Sequence, residues 1–148
     1  MRWRRPVSDR RPLAVVAAAV LAVALAGCGI AKDPLGVTLG DASSAASSAA
    51  LALEQHDDGR LTKAAAATMV DDARTELATA GKQLAELSTS GEQTAVQRDA
   101  LDVLARSVQH VHEASADLGS SRARDLIDRL RADADDLERL EQAAVDAR

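Results

Sequence analysis

From Leu126 to Leu140 the chain reads Leu-Ile-Asp-Arg-Leu-Arg-Ala-Asp-Ala-Asp-Asp-Leu-Glu-Arg-Leu. Apolar residues fall at Leu126, Ile127, Leu130, Ala134, Leu137 and Leu140, continuing to Ala144. Steps of three and four place them on one stripe of a helix. The other faces alternate in sign: Arg124 and Asp128, Asp125 and Arg129, Arg131 and Asp135, and Asp135 and Arg139 are each four apart. Such pairs contribute about 0.2–0.5 kcal/mol each on an exposed helix surface. The stretch is an amphipathic helix whose apolar face needs a partner.

Working outward, the same pattern fills the chain from Thr38 to Arg148, which holds no proline. Turn-forming residues cluster in three places only: Asp57-Asp58-Gly59-Arg60, Ser88-Thr89-Ser90-Gly91 and Gly119-Ser120-Ser121. They divide it into helices over residues 39–56, 62–88, 91–118 and 121–147. The first carries Leu39, Ala42, Ala46, Ala49 and Leu53, a seam so rich in alanine that this helix is expected to be marginal. Its serines, Ser43, Ser44, Ser47 and Ser48, belong either to a small-residue seam or to a spacer. The second places Leu61, Ala65, Met69, Ala73, Leu77, Ala80, Leu84 and Leu87 on one stripe, with Thr62 as N-cap. In the third, Leu101, Leu104, Val108, Val111, Ser115 and Leu118 form the seam, widened by Val96 and Val103. Ser90 with Gln93 reads as its capping box, and Thr38 with Asp41 as a weaker pair for the first helix. Amphipathic helices joined by short loops must run antiparallel, so the expected fold is all-α, an up-and-down bundle of three to four helices over residues 39–148.

The amino-terminal part has a different composition. Residues 1–12 hold five arginines and one acid, and Leu13 to Ala26 is an unbroken run of fourteen Leu, Ala and Val residues. At about 1.5 Å per residue that run spans about 21 Å, short of the roughly 20 residues a membrane-crossing helix needs. A basic head, a short apolar core and small residues at its end fit a secretory signal peptide. The core ends in Leu25-Ala26-Gly27-Cys28, which resembles the lipobox of bacterial lipoproteins. The resemblance implies a diacylglyceryl group on the Cys28 thiol, cleavage just before it, acylation of the new amino terminus, and a protein held on the outer side of the bacterial cell membrane. Residues 1–27 are then the signal peptide and residues 28–38 a tether, in which Gly29, Pro34 and Gly36 favour an extended leash. Arg10-Arg11 leaves a twin-arginine export route open beside the general one. Cys28 is the sole cysteine, so no intramolecular disulfide can form. Two acyl chains suffice for stable anchoring where one is marginal.

Cleavage changes what the rest of the chain is. From Cys28 onward there are 13 basic and 22 acidic residues, a net charge of −9 against −5 for the whole chain. Trp3, the sole aromatic residue, lies before the cut. An acidic body without aromatic rings is repelled by nucleic acid and offers no base-stacking surface, so nucleic acid is not an expected partner. Leu, Ile and Val make up 24 of the 121 residues from Cys28, a thin core that alanine supports by helix propensity more than by burial.

Candidate chemistry is sparse. His110 and His112 lie two apart and point about 200° apart on a helix, so they cannot grip one ion. His110 with Glu113, and Glu113 with Asp117, are helical neighbours, but the order reverses the Glu-x-x-His arrangement of di-iron bundles and occurs once. His56-Asp57-Asp58 reads as a helix end. No Gly-x-Ser-x-Gly elbow and no phosphate-binding glycine loop occurs. The expectation is a non-enzymatic protein with no metal or cofactor, a lipid-anchored helical module that binds an envelope protein. A carrier or sensor holding an apolar small molecule between its helices is the alternative.

Overall fold

The computed structural model describes residues 33 to 147, which form four α-helices. These are α1 (Pro34–Asp57), α2 (Lys63–Glu86), α3 (Glu92–Ala116) and α4 (Ala123–Asp146). Leu25, Ala26, Gly27 and Cys28, read above as a lipobox, lie outside the described residues, as does the rest of residues 1–32. Consecutive helices pack against each other, α4 returns to pack on α1, and α1 touches α3 across the centre. With loops of five or six residues, this ring makes an antiparallel up-and-down four-helix bundle. No described helix is long and apolar enough to cross a membrane.

The first helix departs most from expectation. It starts at Pro34, five residues earlier than its seam suggests, so residues 34–38 belong to the bundle and not to the tether. Asp33 is the N-cap, its Oδ1 accepting from the Leu35 amide at 3.2 Å. Pro34 sits in the first helical turn, where its fixed φ suits the helix and its missing N–H costs nothing. The expected Thr38–Asp41 cap does not form: Thr38 Oγ1 donates to the Pro34 carbonyl at 2.8 Å, inside the helix. Nor is the helix marginal. Eleven of its 24 residues are buried, against six each in α2 and α3 and eight in α4. Ala42, Ala45, Ala46, Ala49, Ala50 and Ala52 are all buried because their small side chains let α1 lie close to neighbours on several sides. The most extensive of its contacts is with α4. The serines turn outward from this seam, and Ser43 Oγ donates to the Ala134 carbonyl of α4 at 3.1 Å.

The helix ends follow capping chemistry unevenly. α1 closes in a Schellman motif: Gly59, at φ +71°, allows Gly59 N–H to reach the His56 carbonyl and Arg60 N–H the Gln55 carbonyl. Thr62 caps α2 as expected, accepting from the Ala65 amide at 3.3 Å. The Ser90–Gln93 capping box is absent, since α3 has Gly91 at its N-cap with φ +59° and no side-chain cap. Gln93 reaches instead to Asp33 Oδ2 at 3.4 Å, tying the start of α3 to the start of α1. Gln97 secures the loop: its Nε2 donates to the carbonyls of Leu84 and Leu87, the latter at 2.9 Å, and Thr89 Oγ1 donates to its Oε1.

The buried stripes of α1 and α4 lie where the periodicity puts them, those of α2 and α3 partly so. In α2 Ala66 and Val70 are buried where Ala65 and Met69 were expected, before Ala73, Leu77, Ala80 and Leu84 resume the predicted line. In α3 Leu104 and Val111 of the predicted seam are buried, together with Ala100, Ser107 and Ala114, while Leu101 and Val108 pack half-exposed at the edge.

Candidate functional site

The charged side chain most completely withdrawn from water is Asp133 of α4, 1% exposed between Leu130, Ala134 and Leu137. A carboxylate there needs partners for both oxygens. α3 supplies them from Arg106 and His110, one helical turn apart and so on one face. Arg106 Nε donates to Asp133 Oδ1 at 2.7 Å, and His110 Nδ1 lies 2.7 Å from Asp133 Oδ2. The Arg106 fork also reaches α4 one turn further on, Nη2 to Asp136 Oδ2 at 2.6 Å. Asp136 in turn meets Arg139 of its own helix. His110 is mostly covered, whereas the Arg106 side chain is 46% exposed, so the network runs from core to surface. The hydrogen bond to Asp133 raises the Arg106 pKa above its ordinary value, against the opposing effect of partial burial, and charge attraction to Asp133 and Asp136 adds to the rise. Arg106 therefore stays cationic at any physiological pH.

This arrangement joins helices and gathers no reactive set. A carboxylate holding an imidazole is half of a nucleophile-activating triad, yet the nearby buried hydroxyl, Ser107 Oγ, donates to the Val103 carbonyl of its own helix at 2.9 Å. Among the described residues no three His, Cys, Asp or Glu side chains are placed to hold a metal ion, and none of the buried side-chain nitrogens and oxygens lacks a hydrogen-bond partner.

The other candidate residues are dispersed. His112 points to solvent while His110 turns inward. Glu113 accepts from Gln109 Nε2 at 3.1 Å, and Asp117 lies 3.7 Å from Arg122. His56 donates from Nδ1 to the Leu61 carbonyl across the α1–α2 loop, Asp57 pairs with Arg124 and Asp58 with Arg60. Of the four charge pairs expected along α4, Asp125–Arg129 forms, at 2.9 Å. Arg124 and Arg131 instead cross to α1, Arg131 reaching Glu54 at 2.7 Å, and Arg139 takes Asp136.

Two surface grooves have distinct character. Leu77, Ala78 and Gly81 of α2 with Leu101, Leu104 and Val108 of α3 line an apolar groove of about 420 Å³. A hydroxyl-rich groove of about 390 Å³ between α1 and α2 is lined by Ser44, Thr75 and Thr79 with Asp41 and Glu76. Neither includes the Asp133 network. Comparison of the chain with protein-family models, curated proteins and solved structures found no match.

Proposed function

We propose that the protein is a lipid-anchored, non-enzymatic helical module of the bacterial cell envelope, tethered through Cys28 and presenting the outer faces of its bundle to another envelope protein. The observation that carries the reading is Leu25-Ala26-Gly27-Cys28 closing a fourteen-residue apolar core, with a proline-free run of amphipathic helices following it. Asp33 stands five residues after Cys28, a reach of at most about 18 Å at 3.6 Å per residue. A lipid on Cys28 thus keeps the start of α1 near the membrane surface. The helices use their leucine and alanine seams on one another, which leaves the charged faces and the α2–α3 groove for a partner.

The test is capture from intact cells. Photocrosslinkers at several outward positions of α3 and α4, such as Arg98, Gln109 and Asp128, should trap a discrete protein in membranes, and the Cys28→Ala chain should lose that adduct. Failure of every position to trap a protein would end this reading. The α2–α3 groove favours a second one, binding of an apolar small molecule. Native mass spectrometry of the purified protein with a bound lipid would support it, and unliganded protein throughout would remove it.

A further inference from the structure

We infer that the α2–α3 groove binds a fatty acid anion, its chain lying along Gly81, Leu101 and Val108 and its carboxylate held at one end of the groove between Lys82 and Arg98. The inference rests on the second reading above, an apolar ligand on this groove, and names the class of that ligand. It does not depend on the lipid anchor.

The groove is built from two helix stripes. On α2, Ala78 and Gly81 keep the surface low, and a Cβ added at Gly81 would meet nothing within 4 Å. On α3, Leu101, Ala105 and Val108 recur in steps of four and three and so share one face. Leu101 and Val108 are partly buried, whereas Ala78 and Ala105 are exposed. From Leu101 to Val108 the apolar surface runs about 10 Å at about 1.5 Å per residue. Its volume of about 420 Å³ falls within the usual range of small-molecule sites, about 300–1,000 Å³.

Charge decides which small molecule fits. α2 runs toward the end of the bundle at which α3 begins. Lys82, one turn after Ala78, and Arg98, one turn before Leu101, therefore stand on opposite rims at the same end of the groove. Both are exposed, and neither has an ion pair among the described residues. That half of the bundle, residues 33–45, 75–104 and 135–147, holds 12 acids and three bases. The third base, Arg139, meets Asp136. The two cations of this half without a carboxylate thus both flank one apolar surface. The acids four residues further along, Glu86 and Asp102, are turned about 40° further from the groove than Lys82 and Arg98. At the other end of the groove Arg74 is already paired with Asp71. An apolar trough with available cations at one end matches a ligand made of one apolar chain and one negative head, and gives no such hold to a neutral chain.

The experiment uses membranes of the cells that make the full chain and two photolabels, dodecanoate and dodecanol, each with a diazirine at the end of its chain. After irradiation and digestion, mass spectrometry should place the dodecanoate adduct on residues 77–81 and 101–108, about tenfold above the dodecanol adduct. Lys82→Gln with Arg98→Gln should bring dodecanoate down to the level of dodecanol. Gly81→Leu and Ala105→Leu, which fill the groove from different helices, should each lose both adducts. Equal labelling of the parent by the two compounds would overturn the inference and leave an apolar ligand on the groove standing. Dodecanoate labelling unchanged in the Lys82→Gln, Arg98→Gln chain, or in both groove-filling variants, would also overturn it. Absence of any adduct on these residues would remove the inference and the reading beneath it together.

Discussion

Replacing Arg106 by alanine isolates the energetic role of the α3–α4 network. Two hydrogen bonds to carboxylates are lost, one to Asp133 at 2.7 Å and one to Asp136 at 2.6 Å. The second joins partly exposed groups, 46% and 31%, and such pairs are worth about 0–1 kcal/mol. The first leaves a carboxylate that is 1% exposed without its cation, and breaking a fully buried pair costs about 3–5 kcal/mol. Because Arg106 is itself nearly half exposed, its removal opens a path for water to Asp133 Oδ1, which reduces that figure. The expected loss is about 2 kcal/mol, a fall in Tm of roughly 8 °C at about 4 °C per kcal/mol for a domain of this size. Arg106→Lys keeps the charge but not the two-pronged geometry and should lose about half as much. Thermal and urea unfolding followed by circular dichroism at 222 nm measures both. An Arg106→Ala chain within 0.5 kcal/mol of the parent would refute the claim that Asp133 depends on Arg106.

Three further outcomes follow from the packing. Leu35, 1% exposed in the first turn of α1, should cost about 3 kcal/mol when changed to alanine, as buried leucines do, whereas a tether residue would be silent in the same unfolding assay. Gly81→Ala should stabilise the bundle by about 0.5–1 kcal/mol, because an added Cβ meets nothing within 4 Å and alanine is the better helix former; a lowered urea midpoint would contradict it. Gln97→Ala frees the carbonyls of Leu84 and Leu87 and should cost about 1–2 kcal/mol. It should also speed hydrogen exchange in the 87–91 loop above the rate at the 58–62 loop, which Gln97 does not touch.

How far the fold could be read from the chain depended on side-chain size. Leu126, Leu130 and Leu137 are large enough to mark a stripe unambiguously, and the four-helix antiparallel arrangement followed from such stripes and three turn clusters. Where alanine is everywhere the stripe has no edge. Ala64, Ala65, Ala66 and Ala67 stand in a row, so the sequence does not say which of them faces inward, and the start of α2 is rotated from the predicted line. In α3 the bulky Leu101 and Val108 mark the stripe, but the helix is turned so that Leu104 and Val111 share its buried face with the small Ala100, Ser107 and Ala114, and Leu101 and Val108 fall at its edge. Pro34 beside Gly36 reads as a breaker, yet it starts the helix, a distinction made by Asp33 one residue earlier.

The Asp133 network was hidden for a different reason. An acid beside Ala134 in a helix with eight acids looks like one more surface charge, and the 3,4 repeat accepts either residue as the inward one. The signal was present as a coincidence of two helices, Asp133 falling on the seam of α4 and Arg106 with His110 four apart on α3. Only tertiary packing brings those facts together.

The claim that a lipid at Cys28 holds this bundle to the membrane is tested most directly by the intact mass of protein extracted from membranes of the cells that make it. The expected species is a chain that has lost residues 1–27 and begins at Cys28 carrying the mass of a diacylglyceryl group, with the Cys28→Ala form released from the membrane fraction. A membrane-bound chain that keeps residues 1–27, unmodified and indifferent to Cys28→Ala, would contradict it.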